Sequence, residues 1–292
     1  MPKFFVTGGS GLIGTSLVQQ LVEQNIEVLA LSRSDESSNK LIALGAQVLK
    51  GSVEDSQILK AGVEQTDGVI HLAFNGVEGD KNTLESLGEA LIGTSKFLVH
   101  TSTLISFAGP IGELKNEYSP QKLPPTAIYK RFENEQVISK LVQQGIRALI
   151  VRIPQVTHAD VDHKGFIPKL IDLAKSNGVS FYAEDGSNHW PAVHRHDAAK
   201  LYILAATNGK PGEQFNAVHE LATSKDIATT IANKLGLNAK SVTKEELLEK
   251  FGQIGGVFAT NIEVSSSETQ RILGWKPTEI GLLEDIKDNY SI

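Results

Sequence analysis

The stretch Lys3-Phe-Phe-Val-Thr-Gly-Gly-Ser-Gly-Leu-Ile-Gly14 constrains the fold of this chain more than any other. Phe4, Phe5 and Val6 form a short apolar run suited to a strand buried on both faces. Behind it Ile13, Leu17 and Leu21 recur every four residues, with Val18 and Val22 beside them, which reads as a helix with one buried stripe. Gly8, Gly11 and Gly14 lie between the two elements. Strand, glycine turn and helix together offer free backbone N–H groups and a positive helix end to a pyrophosphate. In this reading Gly8 turns the chain, Gly11 admits phosphate close to the backbone, and Gly14 seats the helix on the sheet. The backbone of Ser10, Leu12 and Ile13 completes the expected cradle.

Further apolar runs at 27–31, 46–49, 67–73, 96–102 and 147–153 read as strands, separated by helical stretches at 36–44, 55–61, 81–91 and 128–144. Strands and helices alternating through short connections predict an α/β fold with a doubly wound parallel sheet. After Pro154 the rhythm changes. Helices are expected at 166–175, 198–206 (capped by Asp197), 225–235, 244–251 and 266–273, with strands at 179–182, 192–193 and 214–218. The expected division is a dinucleotide-binding domain over 1–154, joined by late elements near 190–220. Residues 155–189 and 221–292 then form a small mixed C-terminal substrate lobe.

Hydrophobic residues make up 40% of the 292, enough for a sizeable core. The net charge of −6, with no run of Lys or Arg, argues against a nucleic-acid partner. The absence of cysteine excludes disulfides, thiolate metal sites and a Cys nucleophile. A first strand starting at residue 3 and no apolar run of spanning length lead to the expectation of a cytoplasmic protein without a membrane partner.

At the end of the second strand, where an NAD site carries an acidic residue for the ribose hydroxyls, this chain has Ser32 and Arg33. A guanidinium there can hold a 2′-phosphate, so the expected cofactor is NADP(H). Asn39 and Lys40 are further candidates for that phosphate. Ser52 and Val53, Leu72 and Ala73, and Thr101 follow or end the next three strands and belong to the expected cofactor set.

Thr7-Gly8-x-x-Gly11-x-x-Gly14, with His71-Leu72-Ala73 closing the fourth strand, resembles the extended form of the short-chain dehydrogenase/reductase superfamily. Asp67-Gly-Val-Ile-His-Leu-Ala-Phe74, Trp190-Pro-Ala-Val-His-Arg-His-Asp197 and Leu273-Gly-Trp-Lys-Pro277 look like an atypical subgroup of it. The resemblance runs nearly the whole chain and implies a Rossmann domain, a nicotinamide cofactor and a small substrate lobe.

It also implies a catalytic set: a Ser or Thr after the fifth strand, a Tyr, and a Lys four residues beyond that Tyr. Thr103 best matches the hydroxyl. Tyr129 stands at a common spacing from it, but Glu133 replaces the Lys. A second register uses Glu135-Gln136, the family's acidic pair on this helix, and puts Ala127 at the Tyr place and Arg131 at the Lys place. On an α-helix Tyr129 would then sit about 200° from the expected face. Arg131 can bond the ribose but cannot shuttle protons. The usual Tyr/Lys pair is absent in both registers.

His158 follows the sixth strand where the superfamily's chain passes the nicotinamide, and is a candidate proton donor. His158, Asp160, Asp162 and His163 also invite a metal reading, but they sit on no defined turn, and no metal is expected. His194, Arg195 and Trp190 are the candidate substrate contacts, while Trp275 is read as packing. The expected function is an NADP(H)-dependent oxidoreductase that reduces a small carbonyl compound, with a homodimer as the expected assembly. The alternatives are a dinucleotide-responsive binding protein with altered catalysis and a nucleotide-sugar epimerase or dehydratase.

Overall fold

The computed structural model describes residues 1–121 and 127–291, with side chains described outside 127–130. Its first half follows the expected alternation. β1 (Lys3–Thr7), α1 (Leu12–Glu23), β2 (Glu27–Ser32), α2 (Asp35–Ala43) and β3 (Gln47–Lys50) lead to α3 (Ser56–Glu64), β4 (Gly68–His71), α4 (Val77–Leu91) and β5 (Phe97–Thr103). A 3-10 helix, Ala127–Asn134, runs into α5 (Glu135–Gln143) and β6 (Arg147–Ile153).

The second half holds β7 (Val156–His158), α6 (Phe166–Asn177), β8 (Val179–Ala183), β9 (His189–His194), α7 (Arg195–Asn208), β10 (Gln214–Asn216) and β11 (Glu220–Thr223). After these come α8 (Ser224–Leu235), β12 (Asn238–Val242), α9 (Lys244–Phe251), α10 (Gln253–Phe258), α11 (Ser267–Leu273) and α12 (Leu282–Asp288).

The main sheet has seven parallel strands in the order β10-β6-β5-β4-β1-β2-β3. Phe4 and Val6 face a core shared with α1 and α7, whereas Phe5 faces the core of α3, α4 and α5. That is why the strand reads as a continuous apolar run. The chain winds outward from β1 to β3, returns to β4 on the other side of β1, and winds outward again. Thr7 and His71 are therefore neighbours at the reversal. A crevice opens at the carboxyl ends of strands where such a sheet reverses.

The smaller lobe contains the three-stranded sheet β11-β9-β7 and the two-stranded sheet β12-β8. Trp190 anchors its core, edge-on to Phe166 at 5.4 Å and to Phe258 at 5.0 Å. Three expectations are corrected. β10 joins the large sheet, but β9 pairs in the smaller one. The expected helix at 128–144 begins as 3-10 turns. Asp197 is no cap: His194 caps α7, and the buried Asp197 carboxylate accepts from the backbone N–H groups of Thr278 and Glu279.

Candidate active site

The glycine turn has the geometry expected of a phosphate cradle. Gly8 has φ +73°, and a Cβ there would meet Ala73 N at 2.7 Å. A Cβ on Gly14 would fall 2.2 Å from Gly8 O, so this glycine seats α1 against the turn. Gly11 caps α1 with no side-chain hydrogen bond, and a Cβ on it would meet only Gly8 O, at 3.3 Å. The first N–H groups of α1 are thus left to a ligand, and the space beside Gly11 fits a pyrophosphate.

A groove of about 570 Å³ runs from this turn across the carboxyl ends of β1, β2 and β4. Of the residues named from sequence for the cofactor, Gly8, Ser10, Gly11, Ser32, Arg33, Val53, Leu72 and Ala73 line it. Ser34, Ser37, Phe74 and Asn75 line it too and were not anticipated. Ser34 caps α2 by accepting from Ser37 N at 3.2 Å, and Ser38 donates to Ser34 O at 2.8 Å. The end of β2 is thereby a hydroxyl-rich helix start beside the exposed Arg33.

Leu12, Ile13, Gly14 and Ser52 do not line this groove. Leu12 lines a neighbouring cavity that shares Ser10 and Gly11 with the groove, Ile13 packs on the core, and Ser52 accepts from Glu54 N. Lys40 donates to Ser10 O at 3.3 Å, at the glycine turn. Thr101 is buried, with its hydroxyl bonded to His71 O and the Tyr202 hydroxyl, each at 2.8 Å. It ties β5 to β4 and α7 rather than lining the groove.

Phe74 also lines a second cleft, of about 590 Å³, shared with Thr103, Arg131, Gln155 and Gln253. Phe74 is thus the joint between the two. Thr103 Oγ1 accepts from Ile105 N at 3.3 Å, which leaves its own proton to donate. The Arg131 guanidinium lies 4.3 Å from the Phe74 ring centroid and 3.9 Å from Asp80 Oδ1. Burial lowers the pKa of Arg131, and Asp80 opposes that shift.

Asp80 is held from several sides: Asn134 donates at 2.7 Å, and His71 Nε2 lies at 3.2 Å. Burial alone would raise its carboxyl, but the His71 hydrogen bond and the neighbouring charges outweigh it and hold the pKa below the usual value. Burial pushes His100 down to about 3, against the pull of Asp80. No metal ligands were expected from sequence, yet His71, Asp80 and His100 offer ligand atoms that lie within 4.8 Å of one another. The Arg131 charge already stands beside that carboxylate, and His71 Nδ1 is bonded to the Thr7 hydroxyl at 2.7 Å.

The remaining candidates do not converge on this cleft. His158 is fully buried, bonded through Nδ1 to Asp285 at 2.7 Å, and is not among the cleft's lining residues. Its proposed part as proton donor is corrected accordingly. Trp190 is core, because β9 pairs on both edges and turns that side chain inward. His194 is buried, its ring 5.4 Å from that of His158. Burial, with His158 and His196 nearby, brings its pKa down to about 4. Arg195 lines the cavity beside α1 with Leu12 and Lys40, away from Thr103. The expected substrate trio is therefore dispersed.

The side chains of Ala127 and Tyr129 lie outside the described residues. Their backbone is 3-10, with about 120° per residue, so an α-helical angle between them does not apply. Arg131, expected to bond the ribose in the register set by Glu135, lines the second cleft and not the groove at the glycine turn. Glu135 itself is fixed by a buried two-oxygen pair with Arg152, at 2.9 and 2.7 Å.

The sequence pattern of the NAD dependent epimerase/dehydratase family matches residues 4–217. The chain belongs to that family. Relatives within reach of the family include an uncharacterized protein of Schizosaccharomyces pombe, 40% identical over 97% of this chain and 98% of the relative. A 4-hydroxy-2-methyl-3-oxo-4-farnesyl-3,4-dihydroquinoline-1-oxide ketoreductase of Stigmatella aurantiaca is 31% identical over 73% of this chain and 67% of the relative. Among solved structures, the NAD complex of a dTDP-glucose 4,6-dehydratase from Bacillus anthracis has the same fold. Its TM-score is 0.79 at 15% identity, covering 99% of this chain and 95% of that one. Family members are NAD(P)-dependent oxidoreductases, epimerases and dehydratases, and the extended short-chain dehydrogenase/reductase resemblance is upheld. Among the described residues no helix is long and apolar enough to cross a membrane.

Proposed function

We propose that this chain is an NADP(H)-dependent reductase of a small carbonyl compound. The observation that carries the reading is the end of β2, where Ser32, Arg33, Ser34 and Ser37 line the groove. Hydroxyls at a helix start suit a phosphate, and Arg33 can hold it bidentately. The carboxylate next in sequence, Asp35, is paired with Lys50 at 2.5 Å. The ketoreductase of Stigmatella aurantiaca supports carbonyl reduction as the reaction type. A chain without cysteine suits the reducing cytoplasm.

When bound, the reduced nicotinamide supplies a hydride to the carbonyl carbon. The glycine turn and the start of α1 would hold the pyrophosphate, and Arg33 with the serines would hold the 2′-phosphate. Thr103 donates a hydrogen bond to the carbonyl oxygen and steadies the alkoxide. The positive charge of Arg131 on the same cleft favours that developing charge. The apolar wall formed by Ile105, Ile153 and Val257 limits water. Tyr129 or a water supplies the final proton.

The test is NADPH oxidation across a broad panel of aldehydes and ketones, repeated with NADH. Turnover of at least one carbonyl is expected, with kcat/KM at least tenfold higher for NADPH. Binding of NADPH with no turnover across the panel would replace this reading by that of a dinucleotide-responsive binding protein.

A further inference from the structure

The second cleft is apolar over much of its wall, where Phe74, Val77, Ile105, Ile153 and Val257 meet. The Phe74 ring is 51% exposed and presents a flat aromatic surface. Among the described residues the basic side chain on this cleft is Arg131. Its guanidinium lies 4.3 Å from the Phe74 ring centroid and 3.9 Å from Asp80, and two of its nitrogens have no hydrogen-bond partner among the described residues. A single cation on a largely apolar wall is a poor match to a diphosphate, whose charges call for several donors.

Gln155 supplies a different kind of polar group. It lines the cleft, and neither its amide nitrogen nor its amide oxygen has a hydrogen-bond partner among the described residues. Shielding an amide with both ends unpaired is costly. A ligand edge that carries a donor beside an acceptor relieves that cost at both ends. Sites built around such groups discriminate strongly against ligands lacking the matching polar atoms.

We propose that the cleft takes a flat, uncharged carbonyl compound with a lactam-type edge, an N–H beside a C=O. Gln155 pairs with that edge while the reacting carbonyl lies at Thr103. This rests on the reading of the chain as a carbonyl reductase: hydride passes from NADPH to the carbonyl carbon, a proton passes to its oxygen, and an alcohol and NADP⁺ result. Phe74 supplies the stacking face and Gln155 the specificity, so a charged nucleotide sugar is the poorer match.

The test measures binding separately from turnover. Protein saturated with NADP⁺ is titrated with isatin, a planar lactam bearing a ketone, and with N-methylisatin, which lacks the N–H. Isatin is expected to bind at least tenfold tighter, and a hundredfold excess of UDP-glucose should leave its binding unchanged. In Gln155→Leu the two isatins should bind alike, with NADPH affinity within twofold of the wild type. Equal binding of the two by the wild-type protein, or displacement of isatin by UDP-glucose, overturns the proposal. So does a tenfold preference that survives in Gln155→Leu, or a loss of NADPH affinity in that variant, which would assign the amide to the nicotinamide instead. The wild-type comparisons stand even where the variant fails to fold. Selective isatin binding with no carbonyl reduced would remove the reductase reading and leave the lactam site. Reduction of other carbonyls with no isatin binding would do the reverse.

Discussion

Arg131 and Asp80 face each other beneath the second cleft, guanidinium NH2 to carboxylate Oδ1 at 3.9 Å, with the Asp80 side chain fully buried. Asp80→Asn keeps the shape and removes the charge opposite a buried cation. Breaking a buried pair in this way costs about 3 kcal/mol. Urea unfolding of the variant should show a loss of that order, and a loss well under 1 kcal/mol would mean that other groups carry the Arg131 charge.

Arg33→Ala should remove most of the preference for NADPH over NADH. One charge-assisted contact contributes roughly 1.5–3 kcal/mol, or about tenfold or more in affinity. Fluorescence titration of both dinucleotides checks this, and equal affinities in the wild type would sink the assignment.

Gly11→Val should abolish dinucleotide binding while leaving the far-ultraviolet CD spectrum unchanged. A Cβ at Gly11 meets only one protein atom, Gly8 O at 3.3 Å, so the fold tolerates it while the phosphate does not. Normal NADPH binding by this variant would show that the pyrophosphate lies elsewhere.

Thr103→Ala should lower kcat on the order of a hundredfold, the usual contribution of one hydrogen-bond donor to a developing alkoxide. Tyr129→Phe should stay within a few-fold of the wild type if the Glu135 register governs the helix. A large rate loss in Tyr129→Phe at unchanged NADPH affinity would restore the superfamily's tyrosine. His158→Ala is expected to cost stability rather than chemistry, because its partner is the buried Asp285.

The pH dependence of stability should reveal His194. Its folded pKa is brought down to about 4 from 6.5, so between these values the unfolded chain binds a proton that the folded chain refuses. Its contribution is full above about 6.5 and is lost as pH falls towards 4. His100, pushed to about 3, adds a loss of the same sign. His194→Gln should flatten the wild-type slope by about 3 kcal/mol across this window. Parallel curves for the two proteins would show that His194 does not titrate there.

The features legible in the sequence were those whose causes are local. β1, the glycine turn and α1 are adjacent, and their glycines answer to backbone geometry within the turn itself. Counting from Glu135 along one helix singled out Arg131, but its 3-10 backbone and its place on the second cleft were not foreseen. His158 and Trp190 were misjudged because their surroundings are assembled from far along the chain. His158 pairs with Asp285, 127 residues on, and Trp190 packs against Phe258. Gln253 reaches the cleft from α10, a short helix with little periodicity to read. Phe74 had a signal, its place directly after His71-Leu72-Ala73, but nothing local said that it would join two cavities.

The backbone N–H groups of Thr278 and Glu279 satisfy the Asp197 carboxylate at the head of α7, and Asp285 then holds His158 in β7. Residues 278–285 therefore stitch α7, packed on the large sheet, to the smaller sheet's β7. One stretch of chain thereby holds α7 against the large sheet and β7 in the smaller one, so loosening residues 278–285 releases both at once.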